Sequence, residues 1–203
     1  MREEDIIGGL DAVAARDPVI AATLERMGYP GPRLRELGYR TLLLTIDGQQ
    51  VSVAAAASVW RKLEELLGEE MPPEALLAAE FDALRACGLS RQKQGYARSL
   101  CELVASGDLD LHDLPADDEE AIAQLTRIKG IGRWSAEIYL LFAEGRPDVW
   151  PAGDLAVQAG IGRILGLAER PSEKATRELA EAWRPHRGAV AIFTWHCYNN
   201  PAL

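Results

Sequence analysis

Asp154 is the side chain whose setting most invites chemistry. It follows Arg146-Pro-Asp-Val-Trp-Pro-Ala-Gly153 and precedes the apolar run opening with Leu155-Ala-Val157, so the spacing predicts a helix that begins here with the carboxylate as its N-cap. Capping is an ordinary task for aspartate. The same position also favours the ionised carboxylate, through the positive end of the helix dipole. Trp134 lies one helix and one Pro-bracketed return upstream, between Pro147 and Pro151, a length that can bring an indole and this carboxylate to the same cleft. An ionised carboxylate beside aromatic walls suits a reaction that develops positive charge on a sugar.

A second constellation is Ala123-Gln-Leu-Thr-Arg-Ile-Lys-Gly-Ile-Gly-Arg-Trp-Ser-Ala136, which reads as two helices around a tight turn. Gly130 and Gly132 permit backbone conformations closed to other residues and clear side chains from an approaching surface. Ile131 between them can fill the gap between the helices. Beyond Gly132, helix-terminal amides point outward, where a phosphate can accept from them, with Lys129 and Arg133 adding charge. Such a device grips a nucleic-acid backbone without reading sequence. A lone Gly-x-Gly occurs in many ordinary turns; the apolar frame, the two helices and the flanking bases favour DNA.

The rest of the inventory excludes other chemistries. Cys87, Cys101 and Cys197 are scattered without a CxxC pair, which rules out a four-cysteine zinc or iron–sulfur site and predicts buried thiols. His112, His186 and His196 lack zinc-ligand spacing, and Ser135 has no base partner in view. The net charge of −9 argues against a polyanionic partner, but the charge is segregated. Acids crowd 64–82 and 102–120, whereas Arg85, Arg91, Lys93 and Arg98, then Arg127, Lys129 and Arg133, then Arg184 and Arg187 form base-only stretches that can make one positive face. The opening MREEDIIGGL lacks a basic, apolar export signal, and no apolar run reaches membrane-spanning length. These features predict a cytoplasmic protein with no membrane partner.

The elements that must position these residues are helical almost throughout. Asp17-Pro18 opens a helix ending at Gly28, and Gly28-Tyr-Pro-Gly-Pro32 is a breaker cluster where the chain could pass between subdomains. Val51–Leu67 reads as an Ala-rich helix closed by Gly68; Pro72-Pro73 opens a short one; Ser90 caps a longer one; Asp117 or Asp118 caps the next. A helix from Arg133 to about Ala143 and others opening at Asp154, Ser172 and Arg187 complete the series. Tyr39–Ile46 is the nearest approach to a strand, and its β-branched content is too low to carry a sheet. The fold class is all-α.

In this order, Leu-x-x-Ile-x-Gly-Ile-Gly-Arg-Trp-Ser-Ala and Pro-Ala-Gly-Asp-Leu resemble the helix-hairpin-helix DNA glycosylase superfamily, most closely its AlkA-type, 3-methyladenine DNA glycosylase II branch. Ile46-Asp-Gly-Gln-Gln-Val-Ser-Val53, Gly88-Leu-Ser-Arg-Gln-Lys93 with Tyr96, and Trp183-Arg-Pro-His-Arg187 with Trp195 extend the likeness over most of the chain. The resemblance implies two helical lobes flanking an active-site cleft: one lobe of 29–146, with the hairpin at 125–136, and a second of 1–28 plus 147–203. It leaves no room for the N-terminal β domain of some relatives.

Carried over residue by residue, the resemblance makes Asp154 the catalytic aspartate and Trp134 and Trp195 walls of the alkyl-purine pocket. Tyr139, or Ile138 where the family's usual aromatic falls, would be a further pocket residue. Gln50, with Gln49 beside it, would wedge into the duplex where the base leaves, while Lys129, Gly130, Ile131, Gly132 and Arg133 hold the backbone. The carbonyls of Thr126, Ile128 and Ile131 would hold a Na+ or K+ ion at the hairpin, with no other cofactor required. Where bifunctional relatives carry a lysine nucleophile this sequence has Trp134, so no Schiff base and no strand cleavage are expected. The expected function is a monomeric, monofunctional DNA glycosylase acting on alkylated purines in double-stranded DNA, in base excision repair. The rivals are a non-catalytic damaged-DNA-binding protein and a glycosylase for neutral lesions such as uracil or hypoxanthine.

Overall fold

The computed structural model describes residues 1–200, which form helices joined by short connections with no β-strand among them. The all-α expectation is met, and Tyr39–Ile46 lies in a helix. In chain order these are α1 (Glu3–Ala14), α2 (Pro18–Met27), α3 (Tyr39–Asp47), α4 (Val53–Leu67), α5 (Pro73–Ala78), α6 (Phe81–Cys87), α7 (Arg91–Ala105), α8 (Asp118–Leu125), α9 (Arg133–Tyr139), α10 (Leu155–Ile164), α11 (Glu173–Ala180) and α12 (Arg187–Tyr198). A π-helical turn, Leu140–Glu144, continues α9, and a 3-10 turn, Glu181–Trp183, follows α11. Asp17, Ser52, Ser90, Asp117, Asp154 and Ser172 each cap a helix by accepting from backbone N–H groups. No described helix is long and apolar enough to cross a membrane.

The chain divides into two units, one of residues 1–35 with 140 onward and the other Glu36–Tyr139. The crossings therefore fall later on the way out and earlier on the way back than the expected 29 and 146. Hydrogen bonds explain the shift. Arg35 N–H donates to the Phe142 carbonyl at 2.9 Å, and the N-terminal ammonium reaches the Leu141 carbonyl at 3.5 Å. The Tyr29 hydroxyl donates to Asp11 Oδ1. The breaker cluster at 28–32 ends α2 without releasing the chain from its unit.

In the first unit, α12 is buried almost all round, with Gly188 to Trp195 all sheltered, and packs on α1 and α10. Ile6, Leu10, Ile20, Val157, Ile161 and Phe193 form its interior. Trp183 lies 5.4 Å from Trp150 and donates its Nε1–H to Asp17, the cap of α2. Arg187 pairs with Asp148 at 2.9 Å and with Glu181, and Arg184 pairs with the same two acids. These two arginines, expected in a positive stretch, tie down the loop that leads to α10.

In the second unit, α7 packs against α3, α5 and α6. Its buried Gln94 amide donates to the Phe81 and Leu89 carbonyls, and Arg98 donates to those of Leu77 and Ala79. Leu63, Met71, Leu84, Cys87 and Leu89 cluster beneath. All three cysteines are buried as expected. Burial pushes the Cys101 thiol up to about 12 and the Cys197 thiol up to about 11.

Candidate active site and DNA-facing hairpin

In the first unit, the turn 150–153 delivers Asp154 to the start of α10, where its Oδ1 accepts from the N–H groups of Ala156 and Val157 at 2.9 Å each. A third donor arrives from another helix: Trp195 Nε1–H of α12, at 3.2 Å. Trp195 is itself seated by Phe142, whose ring centroid lies 5.5 Å away. Asp154 remains partly exposed and Leu155, next to it, is 62% exposed. The expected capping role is thus present, and the indole that meets the carboxylate is Trp195. Three N–H donors on one oxygen fix the carboxylate's orientation.

In the second unit, the hairpin closes with Ile128 N–H on the Leu125 carbonyl and Ile131 N–H on the Ile128 carbonyl, at 3.2 and 3.0 Å. Ile128 and Ile131 are buried and face inward, while Lys129, Gly130, Gly132, Arg133 and Trp134 are exposed. Gly130 sits at φ +84°, and a Cβ there would come within 2.2 Å of the Tyr96 ring, so two separate constraints demand glycine. The Ile131 carbonyl takes part in no backbone hydrogen bond among the described residues, and that of Ile128 accepts one. Oxygens with spare lone pairs suit a hard monovalent cation.

Arg133, expected to add charge beside the hairpin, has its guanidinium on Glu119 and, at 3.0 Å, on the buried Glu137 one turn on. Hydrogen bonding to Glu119 above all holds its pKa further above the ordinary arginine range. Arg127 donates to the Asp108 carbonyl, and Arg91 lies over the Phe81 ring. Several bases of the expected positive face are therefore already engaged within the protein, whereas Lys129 keeps its side chain exposed.

The segment joining α3 to α4 carries Gln49 and Gln50. Gln49 Nε2 donates to the Gly130 carbonyl at 2.9 Å, and Gln50 is exposed at φ +57°. Both lie on a cavity of about 300 Å³ shared with Lys93, Tyr96 and Gly130. Asp47, which would repel a strand if exposed, is 1% exposed and neither carboxylate oxygen is hydrogen-bonded. Burial pushes its pKa up, and the nearby Lys93 ammonium pulls it part of the way back.

The remaining pocket expectations separate. Ile138 and Tyr139 are buried in the second unit, where the Tyr139 hydroxyl accepts from Gly38 N–H at 3.0 Å. Trp134, also of that unit, is 46% exposed. Phe142, Tyr96 and the anchoring of Lys93 were not foreseen. Their partners are distant in sequence, and for Tyr96 the signal was the Gly130 that accommodates it.

Comparison with known proteins bears directly on this arrangement. A DNA-3-methyladenine glycosylase of Schizosaccharomyces pombe is 32% identical over 161 residues, 77% of this chain and 71% of that protein. A crystal structure of a DNA-3-methyladenine glycosidase from Bacillus halodurans superposes with a TM-score of 0.89 at 32% identity, covering 96% of this chain and 90% of the other. The S. pombe 3-methyladenine DNA glycosylase in complex with abasic DNA gives a TM-score of 0.78 at 28% identity, over 93% and 95%. Residues 43–185, which hold the hairpin, the Gln49–Gln50 segment and Asp154, match a family of DNA repair proteins. The chain belongs to the HhH-GPD superfamily of base excision DNA repair proteins.

Proposed function

We propose that this protein is a monofunctional DNA glycosylase that hydrolyses the N-glycosidic bond of alkylated purines, 3-methyladenine-type lesions first among them, in double-stranded DNA. The observation that carries the reading is the Asp154 carboxylate held by two helix-terminal amides and the Trp195 indole. The relatives named above, called 3-methyladenine glycosylases or glycosidases, support it.

An N-alkylated purine is cationic, so its leaving ability is already high and no strong general acid is required. As the bond from sugar C1′ to nitrogen breaks, its electron pair passes to the base, which departs neutral, and positive charge appears on the sugar. Asp154, with its charge oriented in advance, stabilises that oxocarbenium-like state and orients the water that adds to C1′, whose extra proton passes to solvent. This is why one carboxylate serves where ordinary glycosidases use two. The Trp134 indole, 46% exposed, would suit a cationic base, since a cation over such a face gains about 0.5–2 kcal/mol.

The hairpin provides the grip. Exposed Lys129, Gly130 and Gly132 would meet a backbone phosphate, a contact that positions without reading sequence. A monovalent cation on the carbonyls of Thr126, Ile128 and Ile131 would supply positive charge facing the same phosphate. Gln50 would occupy the gap left by the extruded base, at a cost of a few kcal/mol that damaged bases reduce. With tryptophan at 134 there is no amine at the bifunctional nucleophile's position, so the product is an intact strand with an abasic site.

The test is incubation with a duplex carrying one 3-methyladenine or a stable analogue. Release of free base with strand scission only after alkali supports the proposal. Scission without alkali refutes the monofunctional assignment. Tight binding with no release, unchanged by Asp154→Asn, favours the non-catalytic reading.

A further inference from the structure

Gln50 is held in a conformation it would not choose. Its φ of +57° lies in the left-handed region, which a β-carbon disfavours, and α3 ends at Asp47 while α4 begins only at Val53, so no regular element imposes it. A residue stays in such a conformation only where its surroundings over-determine it. Two side chains of the second unit do so. Gln49 Nε2 donates to the Gly130 carbonyl, 81 residues away in sequence, and Lys93 Nζ donates to the Asp47 carbonyl.

Both anchors lead back to α7. Lys93 lies on it, and so does Tyr96 one turn later, whose ring lies against Gly130 so closely that no Cβ fits between them. Tyr96 is in turn fixed by Gln92, whose amide donates to its hydroxyl. The carbonyl that receives Gln49 is therefore itself immobilised by the helix that holds Asp47. The hairpin, α7 and the Gln49–Gln50 segment form one braced body.

We propose that Gln49, assisted by Lys93, is a positioning residue that locks Gln50 in its left-handed turn against the hairpin, so that docking of the hairpin on DNA and insertion of Gln50 into the base stack are a single step. The inference rests on the glycosylase reading above and deepens it, because it makes nonspecific grip and base extrusion mechanically coupled.

The test uses Gln49→Met, which keeps volume and removes the amide. The probe is a duplex with 2-aminopurine beside a tetrahydrofuran abasic analogue, whose emission rises when stacking is broken. Gln49→Met should lower the rate of that rise about tenfold, while affinity for an undamaged duplex changes by less than about twofold. Asparagine enters the left-handed region more readily than glutamine, so in a Gln50→Asn background the same Gln49→Met change should cost less than about threefold. Equal losses in both backgrounds, a parallel loss of undamaged-duplex affinity, or an unchanged rise would each overturn the proposal. If Gln49→Met lowers the melting temperature enough to unfold the protein, Lys93→Met at the other anchor gives the same readout. A wild-type protein that unstacks the reporter but releases no alkylated base refutes the glycosylase reading and leaves the brace standing; one that leaves the reporter undisturbed overturns the brace.

Discussion

Gly160 of α10 lies against Thr194 of α12 so closely that a Cβ at 160 would fall 2.7 Å from Thr194 Cγ2 and 2.9 Å from its carbonyl oxygen. The next residue after Thr194 is Trp195, whose indole N–H meets Asp154 at the head of α10. The missing methyl group at 160 thus sets the spacing of two helices and, through it, the distance between the carboxylate and its aromatic partner. Close-packed interiors transmit such changes, because they have no slack in which to absorb them.

Gly160→Ala should therefore act at a distance. Forcing the extra carbon between the helices costs about 1–3 kcal/mol. The displaced indole should lower single-turnover base release on the order of tenfold to a hundredfold, since errors near 1 Å in a catalytic arrangement cost that much. Thermal melting and a release assay on one alkylated duplex check both. A fall in melting temperature with unchanged release would show that the Trp195–Asp154 contact survives the displacement.

Asp154→Asn separates the two jobs of this residue. Asparagine caps a helix about as well as aspartate, so stability should change by less than about 0.5 kcal/mol. The negative charge that the proposed mechanism sets against the sugar is lost, and release should fall on the order of a hundredfold to a thousandfold. Asp154→Ala should lose release to the same degree and in addition about 1 kcal/mol of stability from the missing cap. Equal melting curves for wild type and Asp154→Asn, together with the loss of release, would establish that the residue acts on the substrate and not through the fold.

What the sequence disclosed follows from how locally each feature is determined. Asp154 and the Gly130–Gly132 turn were legible because caps, prolines and glycines act within a few residues of themselves. The hydrogen bond between Asp154 and Trp195 was not legible, since it depends on helices brought together across 41 residues. The chain between the breaker cluster and α3 stays with the first unit, where Arg35 N–H donates to the Phe142 carbonyl, a contact between residues too far apart in sequence to be read locally. The engagement of Arg133 was half visible: Glu137 stands four residues on, the spacing of a helical ion pair, whereas Glu119 belongs to α8 and could not be anticipated.

Lys129 and Arg133 should accordingly behave differently despite standing four residues apart. Lys129→Ala removes an exposed charge at the hairpin, so it should weaken duplex binding alike on all sequences and lower the slope of log affinity against log salt by about one. Arg133→Ala takes an ion-pair partner from buried Glu137, and should cost about 1–2 kcal/mol of stability. Arg133 is already engaged with carboxylates, so its loss should leave the salt slope nearly unchanged. Duplex titrations at several salt concentrations, beside denaturant melts, read both quantities. A reduced salt slope for Arg133→Ala would mean that its pairs open when DNA binds.

Asp47 gives the protein a pH signature of its own. Burial raises the pKa of this carboxyl above its unfolded value, so the folded state holds its proton to a higher pH than the unfolded chain does. The sign follows from linkage: between the two pKa values the native state binds more protons, and stability falls as pH rises through that window. Above the folded pKa the cost of burying the charge is fully present. Asp47→Asn removes that cost, so it should raise the melting temperature at pH 7.5, and the gain should shrink as the pH is lowered towards 4. The proximity of Lys93 limits the gain, because the amide no longer attracts the ammonium. Melting curves of wild type and variant across this range, compared at each pH, decide the matter: a gain that grows on acidification would mean that Asp47 is stabilised as the anion after all.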